Sequence, residues 1–163
     1  MPYDRLTVAE LLDALGERTP SPASGAAIAV TGAIAAATAE LAARFADDDD
    51  AVEHAQDLRN RFIVLADDDA NAYQAFMDDR SDENRSRTID VPLAMAEAGV
   101  EVVHLGRALE DRLRRAVAGD AAAAAILARS VVAAACRLVS INAPEGDERI
   151  ERAERLAADA GAL

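Results

Sequence analysis

The sequence predicts an all-α fold: an antiparallel up-and-down bundle of five to six helices forming one domain over residues 1–163. Three observations carry that prediction. Apolar residues recur at three- and four-residue spacing, and no run shows the strict alternation of a half-buried strand. Gly and Pro number only eight and five, so turns are scarce and elements long. The hydrophobic fraction is 52% while aromatics are 3% and Trp is absent. Much of the apolar share is therefore Ala, which suits helices packed at close range. A chain of 163 residues buries a sizeable core without disulfide or metal staples.

A first helix is predicted over 6–15, where Thr7 and Glu10 form a Ser/Thr-x-x-Glu capping box and Gly16 ends it. Pro20 and Pro22 keep 17–24 extended or turned. A second helix spans 24–45. The run DDDD at 47–50 reads as a solvated turn whose carboxylates suit the N-terminus of the third helix, 51–79, rather than as a metal site. A polar break, DRSDENRS, precedes a fourth helix over 85–118. There, Asp90 caps a fresh start with Pro92 in its first turn, or Pro92 kinks a continuous helix. Gly119 and Asp120 punctuate, with Asp120 as N-cap of a fifth helix over 121–141. Pro144 and Gly146 end that helix, and a charged sixth runs over 147–160.

Thirty acids face seventeen bases, every base is Arg, and the formal net charge is -13. So negative a surface repels phosphate backbones and anionic lipid, which argues against nucleic-acid and membrane partners. Adaptation to a salty cytoplasm and high-GC codon bias both account for the Lys-free composition. The single cysteine, Cys136, cannot form an intrachain disulfide and reads as a small buried hydrophobe. The start MPYDRLTVAE has early charges of both signs and no long apolar region, so the expected location is cytoplasmic.

No charge falls between Arg18 and Glu40. That stretch is too rich in Ala, Gly, Thr and Ser, and too poor in flanking aromatics, for a membrane span. Instead, small residues recur on one face at Gly25, Ala29, Gly32, Ala36 and Ala39, and again at Ala121, Ala125, Ala128, Val132 and Ala135. Two such stripes predict a closely packed central pair of helices, within a subunit or across a dimer.

Asp69 is the most informative single residue. It is in phase with Leu58, Phe62, Leu65 and Phe76, on the face that should be buried. A buried carboxylate is costly unless paired, and desolvation raises its pKa. Either Asp69 belongs to a site, or it sits wet at the end of the bundle with Asp67 and Asp68. His54 and His104 are isolated on separate helices and read as surface residues. HExxH, CxxC, Walker and GxSxG patterns are all lacking, so neither a metal nor a nucleophilic triad has sequence support.

Four ordered segments together resemble the cyclodeaminase/methenyltetrahydrofolate cyclohydrolase family, which includes the C-terminal domain of formiminotransferase-cyclodeaminase. PASGAAIAVTGAIAA (22–36) stands where the family has a Pro-Gly-Gly-Gly-Ser loop entering an Ala-rich helix. DANAY (69–73) matches its Asp-Ala-x-Ala-Phe segment, and DVPLAMAE (90–97) its Val-Pro-Leu segment. GDAAAAAILARS, opening at Asp120, leads to SIN (140–142) where the family has Ser-Asp and then Arg-Ile-Asn. The resemblance covers about 7–142.

It implies a helical bundle paired as a homodimer, no metal or prosthetic group, and a tetrahydrofolate derivative as substrate. Cyclohydrolases add water to the cationic one-carbon bridge of 5,10-methenyltetrahydrofolate and open it to 10-formyltetrahydrofolate. Cyclodeaminases close 5-formiminotetrahydrofolate to the same methenyl compound and release ammonia. The chain, lacking a formiminotransferase to feed the second reaction, is expected to run the first. Both reactions call for carboxylates beside a delocalised cation. The resemblance implies Asp69 as general base or cation stabiliser, with Asp120 orienting it or bonding the pterin. It implies a substrate-binding set of Pro22, Ser24, Gly25, Tyr73 and Asn142. In this chain two family glycines are Ala23 and Ser24, the loop serine is Ala26, and the Arg of Arg-Ile-Asn is Ser140. Arg137, on the same helical face as Ser140, is the substitute candidate, and Arg44, Arg59 and Arg61 are candidates for the folate glutamate tail. Two rival readings are a catalytically degenerate bundle that binds folate or a similar small molecule, and a plain dimeric scaffold.

Overall fold

The computed structural model describes residues 3–19 and 23–162, and these are all-helical apart from short connections. A 3₁₀ turn, Tyr3–Arg5, precedes α1 (Val8–Gly16), α2 (Ser24–Phe45), α3 (Asp49–Asp78), α4 (Asp82–Glu110), α5 (Ala118–Asn142) and α6 (Glu148–Ala160). Successive long helices alternate in direction, as the short connections require. The N-termini of α2, α4 and α6 and the C-termini of α3 and α5 therefore share one end of the bundle.

The helix ends follow local chemistry. Thr7 caps α1 through the capping box read from the sequence: its Oγ1 accepts from the Glu10 N–H at 3.2 Å, and the Glu10 carboxylate accepts from the Thr7 N–H at 2.8 Å. The DDDD run makes a turn. Asp47 adopts φ 52°, in the left-handed region that Asp tolerates, and Asp48 caps α3 by accepting from the Ala51 N–H at 3.1 Å. Asp147 caps α6.

The main departure from the sequence reading is at the α4–α5 connection. The fourth helix was expected to reach 118, yet α4 stops at Glu110 and residues 111–117 form two consecutive turns. Two interactions fix this break. Leu113 folds back against the small cluster of Ala42, Ala43, Ala51, Leu109 and Ala121, and Arg112 Nη1 pairs with Asp48 Oδ2 at 2.5 Å. In consequence Val117, not Asp120, is the N-cap of α5. Val117 offers no side-chain acceptor, and Asp120 lies within the first turn.

Pro92 lies inside a continuous α4. Proline has no N–H, so the Thr88 carbonyl, four residues earlier, loses its helical partner. Asn142 Nδ2 donates to that carbonyl at 2.8 Å from the end of α5.

Both small-residue stripes are buried, and α2 and α5 do pack against each other within the subunit, but each also meets another helix more closely. The α2 glycines face α3: a methyl group placed on Gly32 would lie 2.4 Å from the Phe62 ring. The tightest backbone approach is instead α4 on α5. A Cβ at Gly106 would lie 2.9 Å from the Ala121 carbonyl oxygen and 3.0 Å from the Ala125 nitrogen. By length and composition both α2 and α5 are apolar enough to cross a membrane. Each lays a buried face against the rest of the bundle, which accounts for that composition.

Candidate active site

Asp69 lies on α3 at the level of the first turn of α2. A methyl group on Gly25 would come within 2.1 Å of the Asp69 Cγ, Oδ1 and Oδ2 alike. Gly25 is thus the one glycine of the loop that cannot gain a side chain while Asp69 keeps its place. Ala23 and Ser24, which replace the two other family glycines, are exposed and can carry a Cβ. Ala23 is the N-cap of α2 and provides no side-chain acceptor, so the first N–H groups of α2 open toward this end of the bundle.

Among the described residues the Asp69 carboxylate makes no hydrogen bond and no ion pair. Burial pushes its pKa up to about 6, because removing water penalises the charged form and no partner restores it. Asp67, two residues away, is engaged: its Oδ1 accepts from the Tyr3 N–H at 3.2 Å, docking the N-terminal turn beside the site. Tyr73 follows Asp69 by one helical turn and is 41% exposed.

The other candidates divide by position. Ser24, Gly25, Asp69, Tyr73, Asn142 and Arg137 all belong to the same end of the bundle. Pro22 lies outside the described residues. Asn142 spends its amide on the Thr88 carbonyl, and Arg137 is exposed on the outer face of α5. Asp120 is at the opposite end. Its neighbour Ala121 clusters with Ala42 and Ala43, the last turn of α2, whereas Asp69 meets the first. The separation is roughly 25 Å along α2 at about 1.5 Å per residue. Within one subunit, Asp120 cannot orient Asp69. Alternating helix directions carry this signal: with α4 lying between them, the end of α3 and the start of α5 are one helix length apart.

Of the three arginines, Arg44 and Arg59 both serve Glu40, and Arg61 bonds Glu101 Oε1 at 3.0 Å across to α4. Glu40 is the one buried charged side chain among the described residues, and the sequence reading passed over it. Its position in phase with Ala29, Ala36 and Ala43 was the available signal. His54 and His104 are exposed, each beside a carboxylate, Glu101 at 3.7 Å and Asp159 at 3.2 Å. Cys136 is buried and donates its thiol to the Ala153 carbonyl. Among the described residues no three His, Cys, Asp or Glu side chains cluster as metal ligands would.

Comparison with known proteins bears on the fold and the family. A crystal structure of formiminotetrahydrofolate cyclodeaminase from Thermotoga maritima superimposes with a TM-score of 0.87 over 98% of this chain and 94% of that one, at 24% identity. That likeness establishes the fold. A methenyltetrahydrofolate cyclohydrolase of Methylorubrum extorquens is 27% identical over 96% of this chain and 91% of its own length. The family model described as formiminotransferase-cyclodeaminase matches residues 7–160, nearly the whole sequence. The helical bundle with its uncommitted carboxylate set against a loop glycine therefore belongs to the formiminotransferase-cyclodeaminase family.

Proposed function

We propose that this protein is a cytoplasmic, folate-dependent one-carbon hydrolase that opens 5,10-methenyltetrahydrofolate to 10-formyltetrahydrofolate. Its relation to a named cyclohydrolase across nearly the full length of both chains favours that direction over the related cyclodeamination. The observation that carries the reading is Asp69: partly buried, without a partner, seated on Gly25 at the open N-terminus of α2, and titrating near 6.

The chemistry follows from that placement. At pH 7 a carboxyl of pKa about 6 is mostly ionised, so it attracts the methenyl cation. It also accepts the proton that water sheds on adding to the one-carbon bridge. The neutral adduct opens when its ring C–N bond breaks, and Asp69 returns the proton to the departing nitrogen. The adduct's hydroxyl passes its own proton to the carboxylate as the formyl C=O forms, and loss of that proton to solvent restores the carboxylate and releases one proton per turnover, as conversion of a cation and water to a neutral formyl amide requires. The N–H groups opening α2 face a carbonyl or anionic part of the ligand. Asn142 and Tyr73 border the same end. Tetrahydrofolate enters as substrate, and the side chains supply the catalysis without a prosthetic group. The subunit is proposed to act as a homodimer of single-domain chains, with the exposed apolar residues Leu41 and Phe45 of α2 in the contact surface.

The test is the decay of the methenyl chromophore with wild type and Asp69→Asn, in high and low salt, against buffer. Faster decay with wild type and a loss of 10² to 10⁴-fold in the variant is the expected result, the range for a removed general base. If folded wild type gives no acceleration in any salt, the hydrolase reading fails. A bundle that binds folate without turnover then takes its place.

A further inference from the structure

A cavity of about 290 Å³ lies between α1, α2 and α3, one turn below Asp69. Val30, Ala33, Ile34 and Ala37 of α2 form one wall, and Ile63 and Ala66 of α3 another; Arg59 stands at the far end. The N-terminal segment covers it through Tyr3, Leu6, Val8 and Leu11. Ala66 and Val30, at the near end, are roughly 5–8 Å along their helices from Asp69 and Gly25. Along the helix axes the cavity thus begins about one turn from Asp69 and extends away from it beside α2 and α3.

Its lining is apolar, and its volume is at the lower edge of small-ligand pockets, about 300–1,000 Å³. It fits a single ring and its linker rather than a whole folate. Arg59 brings the one cationic group. Only its Nη1 is spent, on Glu40 Oε2 at 2.8 Å; the remaining guanidinium donors are uncommitted among the described residues. The cover is lightly attached. Leu11 is the sole buried residue of α1, while Val8 and Leu12 are 75% and 62% exposed. The Tyr3 N–H bond to Asp67 ties the segment down two residues from Asp69.

We propose that this cavity is the subsite for an aromatic ring bearing a carboxylate. The ring would lie between Ala33 and Ile63, its anion would meet the free donors of Arg59, and α1 would close over it. The inference rests on the folate reading, whose substrate carries such an arm, a p-aminobenzoyl-glutamate, joined to the reacting pterin. It gives the one-carbon bridge a fixed distance from Asp69, set by the ring's seat in the groove.

The experiment is calorimetric titration of the full chain with p-aminobenzoyl-glutamate, for wild type and for Ala33→Phe, whose ring would occupy the cavity. Wild type is expected to bind at millimolar concentration or tighter, and Ala33→Phe at least tenfold more weakly. The KM for 5,10-methenyltetrahydrofolate should rise at least tenfold in the variant. Hydrogen exchange on wild type gives a measure that needs no variant: the fragment should slow exchange in α1 and in 30–37. Fragment binding that leaves those amides unchanged, or that survives Ala33→Phe at full strength, overturns the subsite. Turnover with an unmoved KM in Ala33→Phe overturns the subsite and leaves the hydrolase standing. Cavity-dependent fragment binding without any turnover upholds the subsite and sinks the hydrolase. Wild type that neither turns over nor binds the fragment removes both.

Discussion

Glu40 and Asp69 are two carboxylates set into the same interface, between α2 and α3, near its opposite ends. They are treated in opposite ways. Glu40 accepts from Gln56 Nε2 at 2.9 Å, Arg44 Nη2 at 2.7 Å and Arg59 Nη1 at 2.8 Å. The amide of Gln56 and then the Arg44 guanidinium hold its carboxyl below the usual range against the opposing effect of burial. Asp69 receives no such donor; it has a glycine beneath it and a pKa pushed up by burial. The difference teaches which buried charge is structural. A carboxylate surrounded by donors is held ionised and tied, whereas one left unpaired in a tight niche keeps its capacity to bind a cation and to exchange a proton.

The sharpest break in that comparison is substitution of each acid. Asp69→Asn should lower turnover by two to four orders of magnitude yet raise the melting temperature at neutral pH. A carboxyl with a raised folded-state pKa stabilises while protonated, and that contribution is lost as pH rises through about 6. Discounted for partial exposure, the gain from a neutral isostere is about 1–2 kcal/mol. Glu40→Ala should do the reverse, costing about 1–2 kcal/mol in denaturant unfolding because the hydrogen bonds from Gln56, Arg44 and Arg59 are lost while the partly exposed arginines regain water. Its lowered pKa places the stabilisation above the ordinary carboxylate range, to be lost on acidification.

Gly25→Ala sharpens the comparison from the other side. The added methyl must displace the Asp69 carboxylate, so turnover should fall at least tenfold, and the apparent pKa of the rate profile should move toward the solvent value as the carboxylate is pushed outward. In wild type, kcat/KM should rise from pH 5 to pH 7 with a midpoint near 6, read from chromophore decay across a buffer series. The smallest effect is expected from Asp120→Asn, under threefold in kcat/KM. A hundredfold loss there would mean that a second subunit supplies this residue.

Much of the fold was legible because the helix boundaries carry local chemistry. The Thr7–Glu10 box, the DDDD turn and the Asp147 cap all state their role within a few residues. The break at 111–117 was not legible: ALEDRLRRAV contains no Gly or Pro, and the turn depends on Leu113 and Arg112 meeting partners from α2 and the α2–α3 turn. Asp69 was legible from its phase on α3, but the reason it sits so close to α2 lies in Gly25, a contact between residues 44 positions apart. Asp120 was placed with Asp69 on family resemblance, and helix direction separates them.

Pro92 and Asn142 have a consequence for how sequences of this kind should be read. Each belongs to a different segment that supports the family resemblance, and each alone invites a local explanation: a kink for one, a polar ligand contact for the other. The Thr88 carbonyl joins them into a single device. A proline at 92 creates an acceptor that only a donor at the end of α5 satisfies, and an amide at 142 has its main use while that proline is present. Across related chains the two positions should change together, so they count as one inherited decision rather than as two independent marks of kinship.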